Sequence, residues 1–417
     1  MLRRPHGFVA WLAGIAAGAL AIRLVYALLL APEPPALSDA GFFHLLANFL
    51  ADGRGFVRPY DLVFFDSATP TAEHPPAWSV LLAAMSALGG QSHDAHRVVG
   101  CLCGTGTVAA IGVLGRRVAG ERAGLIAAGI AAAYPMLWVV DGTLMSESLY
   151  GLTIALALLA AYAVVERPSA ARAAALGAAM ALAALTRGEG MALVVLLGVP
   201  VALLARAGAR GRLVTLAVIA AAFAAVLAPW LVRNWSAFDR PVLVSNNTGT
   251  LLAGANCGGV YAGSDIGSWT FLCIDGPRRR NEAVQAAELR RRGLDYAREH
   301  AGRLPVVLPV RVLRTWDAYR PLQGARFMRT EGRRRFAQYL GLAAYYPLLV
   351  LAVFGFVVLR RRGATPWLLL VPAVLVTLTS LGGFGLPRFR MAAEISIVVL
   401  AAAALDAFAA RRREARG

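Results

Sequence analysis

The chain has 417 residues, 58% of them hydrophobic, and a formal net charge of +18. That is more apolar surface than a soluble fold of this size buries, so lipid is part of its solvent and a soluble globular domain is excluded. All 42 basic residues are arginine and they gather at the ends of apolar runs, where membrane topology accounts for them and nucleic-acid binding does not.

A membrane core of about 30 Å needs about 20 apolar residues per crossing. The first run, Phe8–Leu30, is too long for a signal-peptide core and lacks a small-residue cleavage site before Pro32, so it reads as an uncleaved first span. An outer loop of about residues 31–94 follows. In L-S-D-A-G-F-F-H-L-L-A, Asp39 stands nine residues beyond the first span, within about 30 Å of the membrane even fully extended. Its carboxylate either meets a lipid head group or N-caps the helix beginning at Ala40. Glu73-His74-Pro75-Pro76 places an acid and an imidazole where they either coordinate a metal or orient an acceptor hydroxyl, or cap the next helix. That helix, Ala77–Leu88, is too short to cross and reads as interfacial or re-entrant.

Further spans are expected near 95–115, 123–141, 147–165, 173–186, 190–205, 213–232, 338–359, 365–381 and 390–410, giving an all-α polytopic bundle of about ten helices. With 77–88 kept out of the count, Arg3-Arg4, Arg116-Arg117, Arg167, Arg206, Arg360-Arg361-Arg362 and Arg411-Arg412-Arg413 all fall on one side, which the positive-inside rule makes cytoplasmic together with both termini. Gly104-Thr105-Gly106 lacks a dinucleotide fingerprint and reads as helix packing.

Asp141 and Glu147 flank a tight outer hairpin, where a substrate or a helix N-terminus alone satisfies them. Arg187 interrupts two apolar runs on the outer side, against the charge trend, and binds either an anion such as phosphate or its neighbour Glu189. Residues 233–337 form a long outer loop between an N-terminal module, 1–232, and C-terminal spans, 338–417. Within it Cys257 and Cys273 either close a disulfide, stabilising by roughly 3 kcal/mol, or stay as two thiols. Cys101 and Cys103 read as inert core residues. Arg388 and Arg390, at the entrance of the last span, either grip a lipid phosphate or snorkel, as Arg23 does in the first span.

Acids and arginines on the outer face imply chemistry where nucleotide sugars are not normally supplied, so a sugar donor there arrives on a membrane lipid. A carboxylate then takes the acceptor's proton while cations or a metal stabilise the departing phosphate. The motifs S-D-A-G-F-F-H-L-L-A, E-H-P-P-A-W, R-R-V-A-G-E-R-A-G-L, M-S-E-S-L-Y, L-T-R-G-E-G, P-W-L-V-R-N-W-S-A-F-D-R-P-V-L-V-S-N-N-T-G and G-L-P-R-F-R-M cover most of the chain. In that order they resemble the C-type membrane glycosyltransferases, in the branch of lipid A aminoarabinose transferase and protein O-mannosyltransferases. The resemblance implies a bacterial inner-membrane enzyme with Asp39 as the essential first-loop aspartate and Glu147 as a second catalytic acid. It implies Glu73, His74, Asp141, Arg187, Arg233, Asn234, Arg388 and Arg390 as substrate contacts, and a divalent metal on Asp39, Glu73 and Glu147. The donor is then a polyprenyl-phosphate sugar and the acceptor a glycan, lipid or protein. Two departures are Glu147, where some members have Asp, and the short C-terminal part. The rival reading is a transporter or flippase of lipid-linked saccharides, which would favour charged residues within the spans and repeated halves.

Overall fold

The computed structural model describes residues 5–274, 279 and 281–414. Among these the regular structure is helical, with a single isolated bridge between Val57 and Pro70. Ala, Leu and Val dominate the helices, and in lipid a helix satisfies every interior backbone donor and acceptor by itself. Serines mark several starts: Ser38 Oγ accepts from Gly41 N, Ser92 Oγ from Ala95 N and Ser169 Oγ from Arg172 N.

Among the described residues six helices are long and apolar enough to cross a membrane: Gly7–Leu30, His93–Ala119, Glu147–Glu166, Ala209–Ala237, Arg335–Arg361 and Pro387–Glu414. Glu121–Ala133 and Pro135–Gly142 form a seventh run, bent by 67°. The remaining three expected spans are the shorter helices Ala170–Thr186, Gly188–Leu204 and Pro366–Gly382, and the expected interfacial run is Pro76–Ala87. The last helix is the centre of the bundle, buried continuously from Met391 to Ala404. It packs against Arg335–Arg361 and Glu121–Ala133. At Gly355 a Cβ would run into the Leu400 carbonyl, so two of these helices meet backbone to backbone, the close approach small residues permit.

The spans hold more charge than their sequence suggests. Arg23 does not snorkel: its Nε lies 2.9 Å from Asp141 Oδ2, and both side chains are 0% exposed. Ser148 Oγ donates to the other Asp141 oxygen at 2.7 Å. The segment around Asp141 is therefore buried, and Asp141 is an internal counter-ion instead of a substrate contact. Gly104, expected merely to pack, makes this possible, because a Cβ there would collide with both Asp141 Oδ2 and Arg23 Nε. Arg3-Arg4 lie outside the described residues.

The loops meet at one end of the bundle. Glu282 accepts from Thr71 Oγ1 (2.6 Å), Ala72 N (2.8 Å), Asn246 Nδ2 (2.9 Å) and Arg58 Nε (3.3 Å), joining the first loop to the long one. Arg233 donates to the Thr71 and Phe56 carbonyls at 2.7 and 2.8 Å, and Asn234 Nδ2 to the Leu243 carbonyl at 3.0 Å. Both therefore fasten loop backbone and do not point at a substrate. Cys257 and Cys273 form a disulfide.

Candidate active site at the loop end of the bundle

Five of the expected residues converge: Asp39, His74, Glu147, Arg187 and Arg388. Ser38 supplies the cap of helix Asp39–Ala51, which frees the Asp39 carboxylate for other partners. Asp39 Oδ2 lies 3.3 Å from Arg388 Nη2, and Oδ1 lies 3.6 Å from His74 Nε2, an ion-pair distance beyond hydrogen-bond range. Arg388 Nη1 holds Glu331 at 2.6 Å and its Nε lies 3.6 Å from Glu147 Oε1. The same Glu147 oxygen accepts from Arg187 Nη1 at 2.9 Å, and Arg187 Nε donates to Glu189 at 2.6 Å. Of the two expected partners of Arg187, Glu189 is the one present, and Arg187 pairs with Glu147 as well. Glu147 is 1% exposed, whereas Asp39 remains 38% exposed, so the aspartate is the member of this network open to an incoming molecule. Phe389 lies between the two guanidiniums, 5.4 Å from Arg187 and 5.6 Å from Arg388.

Electrostatics sharpen these roles. Burial alone would raise the pKa of Asp39, but the His74 imidazolium and the Arg388 guanidinium hold it well below the usual carboxylate range. Burial would lower that of His74, and the Asp39 and Glu73 carboxylates overcome this and raise it. Burial pushes Glu73 up against the pull of His74 and Arg58, and Glu331 up against that of Arg388. Pro75 precedes the next helix without a side-chain cap, so neither Glu73 nor His74 is consumed in capping.

Two members had no place in the sequence reading, Glu331 and Arg333. Arg333 is 3% exposed, its Nε and Nη2 have no hydrogen-bond partner, and Glu147, Glu331 and Arg388 act on its charge. Arg388 Nε and Glu147 Oε2 are likewise buried and unpartnered. The signal was available: both residues stand just before the span beginning at Arg335, the same position relative to a membrane end that singled out Arg388.

Arg390 does not join. Its Nη1 donates to Asp317 at 2.8 Å and to the Thr315 carbonyl at 3.0 Å, its Nε to Glu394 at 2.6 Å, and its guanidinium lies 3.6 Å from the Tyr345 ring centroid. It is an internal brace and does not grip phosphate. For the expected metal set, among the described residues no three His, Cys, Asp or Glu side chains are placed together to hold an ion, and Arg388 stands between Asp39 and Glu147.

The family model for dolichyl-phosphate-mannose-protein mannosyltransferase matches residues 73–232. No curated protein matches the chain in sequence. Among solved structures, the oligosaccharyltransferase AglB from Archaeoglobus fulgidus, in complex with an inhibitory peptide and a dolichol-phosphate, is similar with a TM-score of 0.56 and 16% identity over 97% of this chain and 51% of that one. The apo oligosaccharyltransferase of the same organism gives 0.52 and 15% over 95% and 50%. ArnT from Cupriavidus metallidurans, bound to undecaprenyl phosphate, shares 17% identity over 96% of this chain and 78% of that one, but its TM-score of 0.39 adds nothing to the fold assignment. The chain thus spans about half the length of the oligosaccharyltransferases whose fold it shares.

Proposed function

We propose, from the premise that this chain has the fold of the C-type membrane glycosyltransferases, that it transfers a sugar from a polyprenyl-phosphate carrier to an extracytoplasmic acceptor. The observation that carries this reading is the pairing of Asp39 with Arg388 at 3.3 Å, a carboxylate and a guanidinium at the open end of a membrane bundle. Its setting is a bacterial inner membrane with both termini cytoplasmic, which the arginine distribution supports.

The acceptor hydroxyl attacks the anomeric carbon, the bond from that carbon to the phosphate oxygen breaks, and the acceptor proton passes to Asp39. The polyprenyl phosphate leaves with the bonding electron pair. Arg388 and Arg333 donate to its oxygens through the N–H groups that now lack partners, and Arg187 adds positive charge through Glu147 and Phe389. In the resting protein Asp39 is ionised but weakly basic, because Arg388 and His74 stabilise its charge. A phosphate that draws Arg388 to itself removes one of these cations, so donor binding raises the basicity of Asp39 when a base is needed. Glu147 acts as a positioning residue that sets the spacing of Arg187 and Arg388.

The test is transfer of labelled sugar from a panel of polyprenyl-phosphate sugars by the purified chain in lipid, native against Asp39→Asn. Consumption of a donor by the native chain supports the reading. Movement of labelled lipid between leaflets at equal rates in both proteins, with no donor consumed, replaces it with a flippase.

A further inference from the structure

A cavity of about 250 Å³ lies beside the cluster, between the first loop and the long one, with Tyr60, Glu73, Asn247 and Gln285 in its wall. None of the chemistry above uses it, although it reaches Asp39 by two routes. Phe42, also in its wall, packs on the His74 ring at 5.0 Å between centroids, and His74 pairs with Asp39. The Tyr60 hydroxyl shares its one proton between the carbonyls of Ser38 and Ala36, at 2.7 and 2.9 Å, and accepts from Ser38 N at 3.0 Å, which fixes the start of the helix that carries Asp39. The cavity therefore lies on the His74 side of Asp39, and the arginines lie on the Arg388 side.

Its lining selects an occupant. Much of the wall is spoken for: Glu282 is saturated by four donors, and Gln285 Oε1 accepts from Arg58 Nη2 at 2.9 Å. Asn247 Oδ1 accepts from Thr250 Oγ1 at 2.6 Å. Among the described residues, the Glu73 carboxyl oxygens and the amide N–H groups of Asn247 and Gln285 remain without a hydrogen-bond partner. An apolar chain would leave these groups desolvated and unpaired, which is costly. A phosphate would meet the three carboxyls of Glu73, Asp61 and Glu282 against the single guanidinium of Arg58, which is already paired with the last two, so the wall repels it on balance. A polyol offers a donor and an acceptor on every hydroxyl and matches acids and amides together.

The geometry points to this cavity as the acceptor subsite and to the acceptor as a saccharide, one pyranose ring seated between Glu73, Asn247 and Gln285 with a hydroxyl directed past His74 toward Asp39. This rests on the transferase reading and narrows it, since an acyl chain would leave the mixed lining unpaired, while a compact ring that offers a donor and an acceptor at each hydroxyl suits a cavity of about 250 Å³ better than an extended peptide.

The experiment is saturation-transfer NMR on the full chain in lipid nanodiscs with a panel of methyl pyranosides, and with a serine- and threonine-containing peptide as the competing probe. The expected result is saturation of ring protons by the native chain, weakened about fivefold in Asn247→Ala and in Glu73→Gln, as loss of one hydrogen bond implies. Thermal melts of both variants that match the native chain tie the loss to the cavity. Saturation of the peptide but of no pyranoside overturns the inference, as does pyranoside saturation unchanged in both variants. Phosphorus NMR of a polyprenyl phosphate, native against Arg388→Gln, reads the donor side separately. Phosphate bound with no pyranoside bound refutes the saccharide subsite and leaves the transferase standing. Pyranoside bound without phosphate supports the subsite and refutes the carrier-lipid donor.

Discussion

Replacing Asp39 by Asn separates chemistry from folding. The amide keeps an oxygen for Arg388 and changes the side-chain volume little, while the charge and the base are lost. Because Asp39 is 38% exposed, its ion pairs with Arg388 and His74 are screened by solvent, and their loss costs below about 1 kcal/mol. The melting temperature then falls by no more than about 2–4 °C. A positioned general base contributes about 10²–10⁴ in rate, so transfer from a polyprenyl-phosphate sugar should drop by that factor in kcat. Donor KM should change little or improve, because Arg388 loses a competing anion. The assay is initial-rate transfer in nanodiscs, with the melt on the same preparations. A variant that keeps more than about a tenth of native kcat would refute Asp39 as the base. A collapse of the fold would refute the claim that its network is locally screened.

Other outcomes follow from the same geometry. The raised pKa of His74 means its pairing with Asp39 is complete below about pH 6.5 and is lost as pH rises through the higher folded value, whereas Asp39 stays ionised until pH falls below the carboxylate range. Deprotonation of His74 removes a cation that holds down the basicity of Asp39, so the pH–rate profile is expected to rise as pH passes through the raised His74 value and to lose that rise in His74→Gln; a rise unchanged in the variant would disprove the assignment. Arg333→Met should weaken donor binding about tenfold, read as donor KM, yet leave the melting point unchanged or higher, because it removes buried N–H groups that have no partner. Arg23→Leu should destabilise by about 3–5 kcal/mol by stranding Asp141, while Arg23→Leu with Asp141→Leu recovers most of this; equal losses in single and double variants would argue against the pair. Cys257→Ser should cost roughly 3 kcal/mol in unfolding free energy under oxidising conditions and nothing under reducing ones.

The apolar runs were legible because a membrane span is a local property: some twenty residues either are apolar or are not. The ten expected runs are helices, although three are shorter than a full crossing and one is bent. Among ionisable residues, position near a membrane end identified Asp39, Glu147, Arg187 and Arg388, which share one network. The same argument failed for Arg390, two residues from Arg388, because in the tight turn Pro387–Arg390 the two side chains point to different neighbours. It failed for Asp141, whose partner Arg23 lies in another span, while Arg233 and Asn234, which the resemblance implied as substrate contacts, have loop carbonyls as partners. A charged group's partner is a tertiary fact. Local pattern reports that such a residue needs one and says nothing of whether the partner is a substrate or another helix.

The pair made by Arg23 and Asp141 also constrains how the chain is built. Asp141 leaves the ribosome 118 residues after Arg23, and at about 5–20 residues per second the first helix waits on the order of ten seconds with an uncompensated cation. An arginine at the helix centre opposes insertion by about 2.5–3.5 kcal/mol on translocon scales, an upper bound for Arg23, which lies toward the Leu30 end of its span. The first helix therefore has reason to linger at the insertion machinery until its partner arrives, and its release into lipid becomes a checkpoint on the synthesis of the helices between them. Bulk at residue 104 would keep that checkpoint from closing, so a Gly104→Val chain should fail in biogenesis, as degraded nascent protein, before any question of catalysis arises.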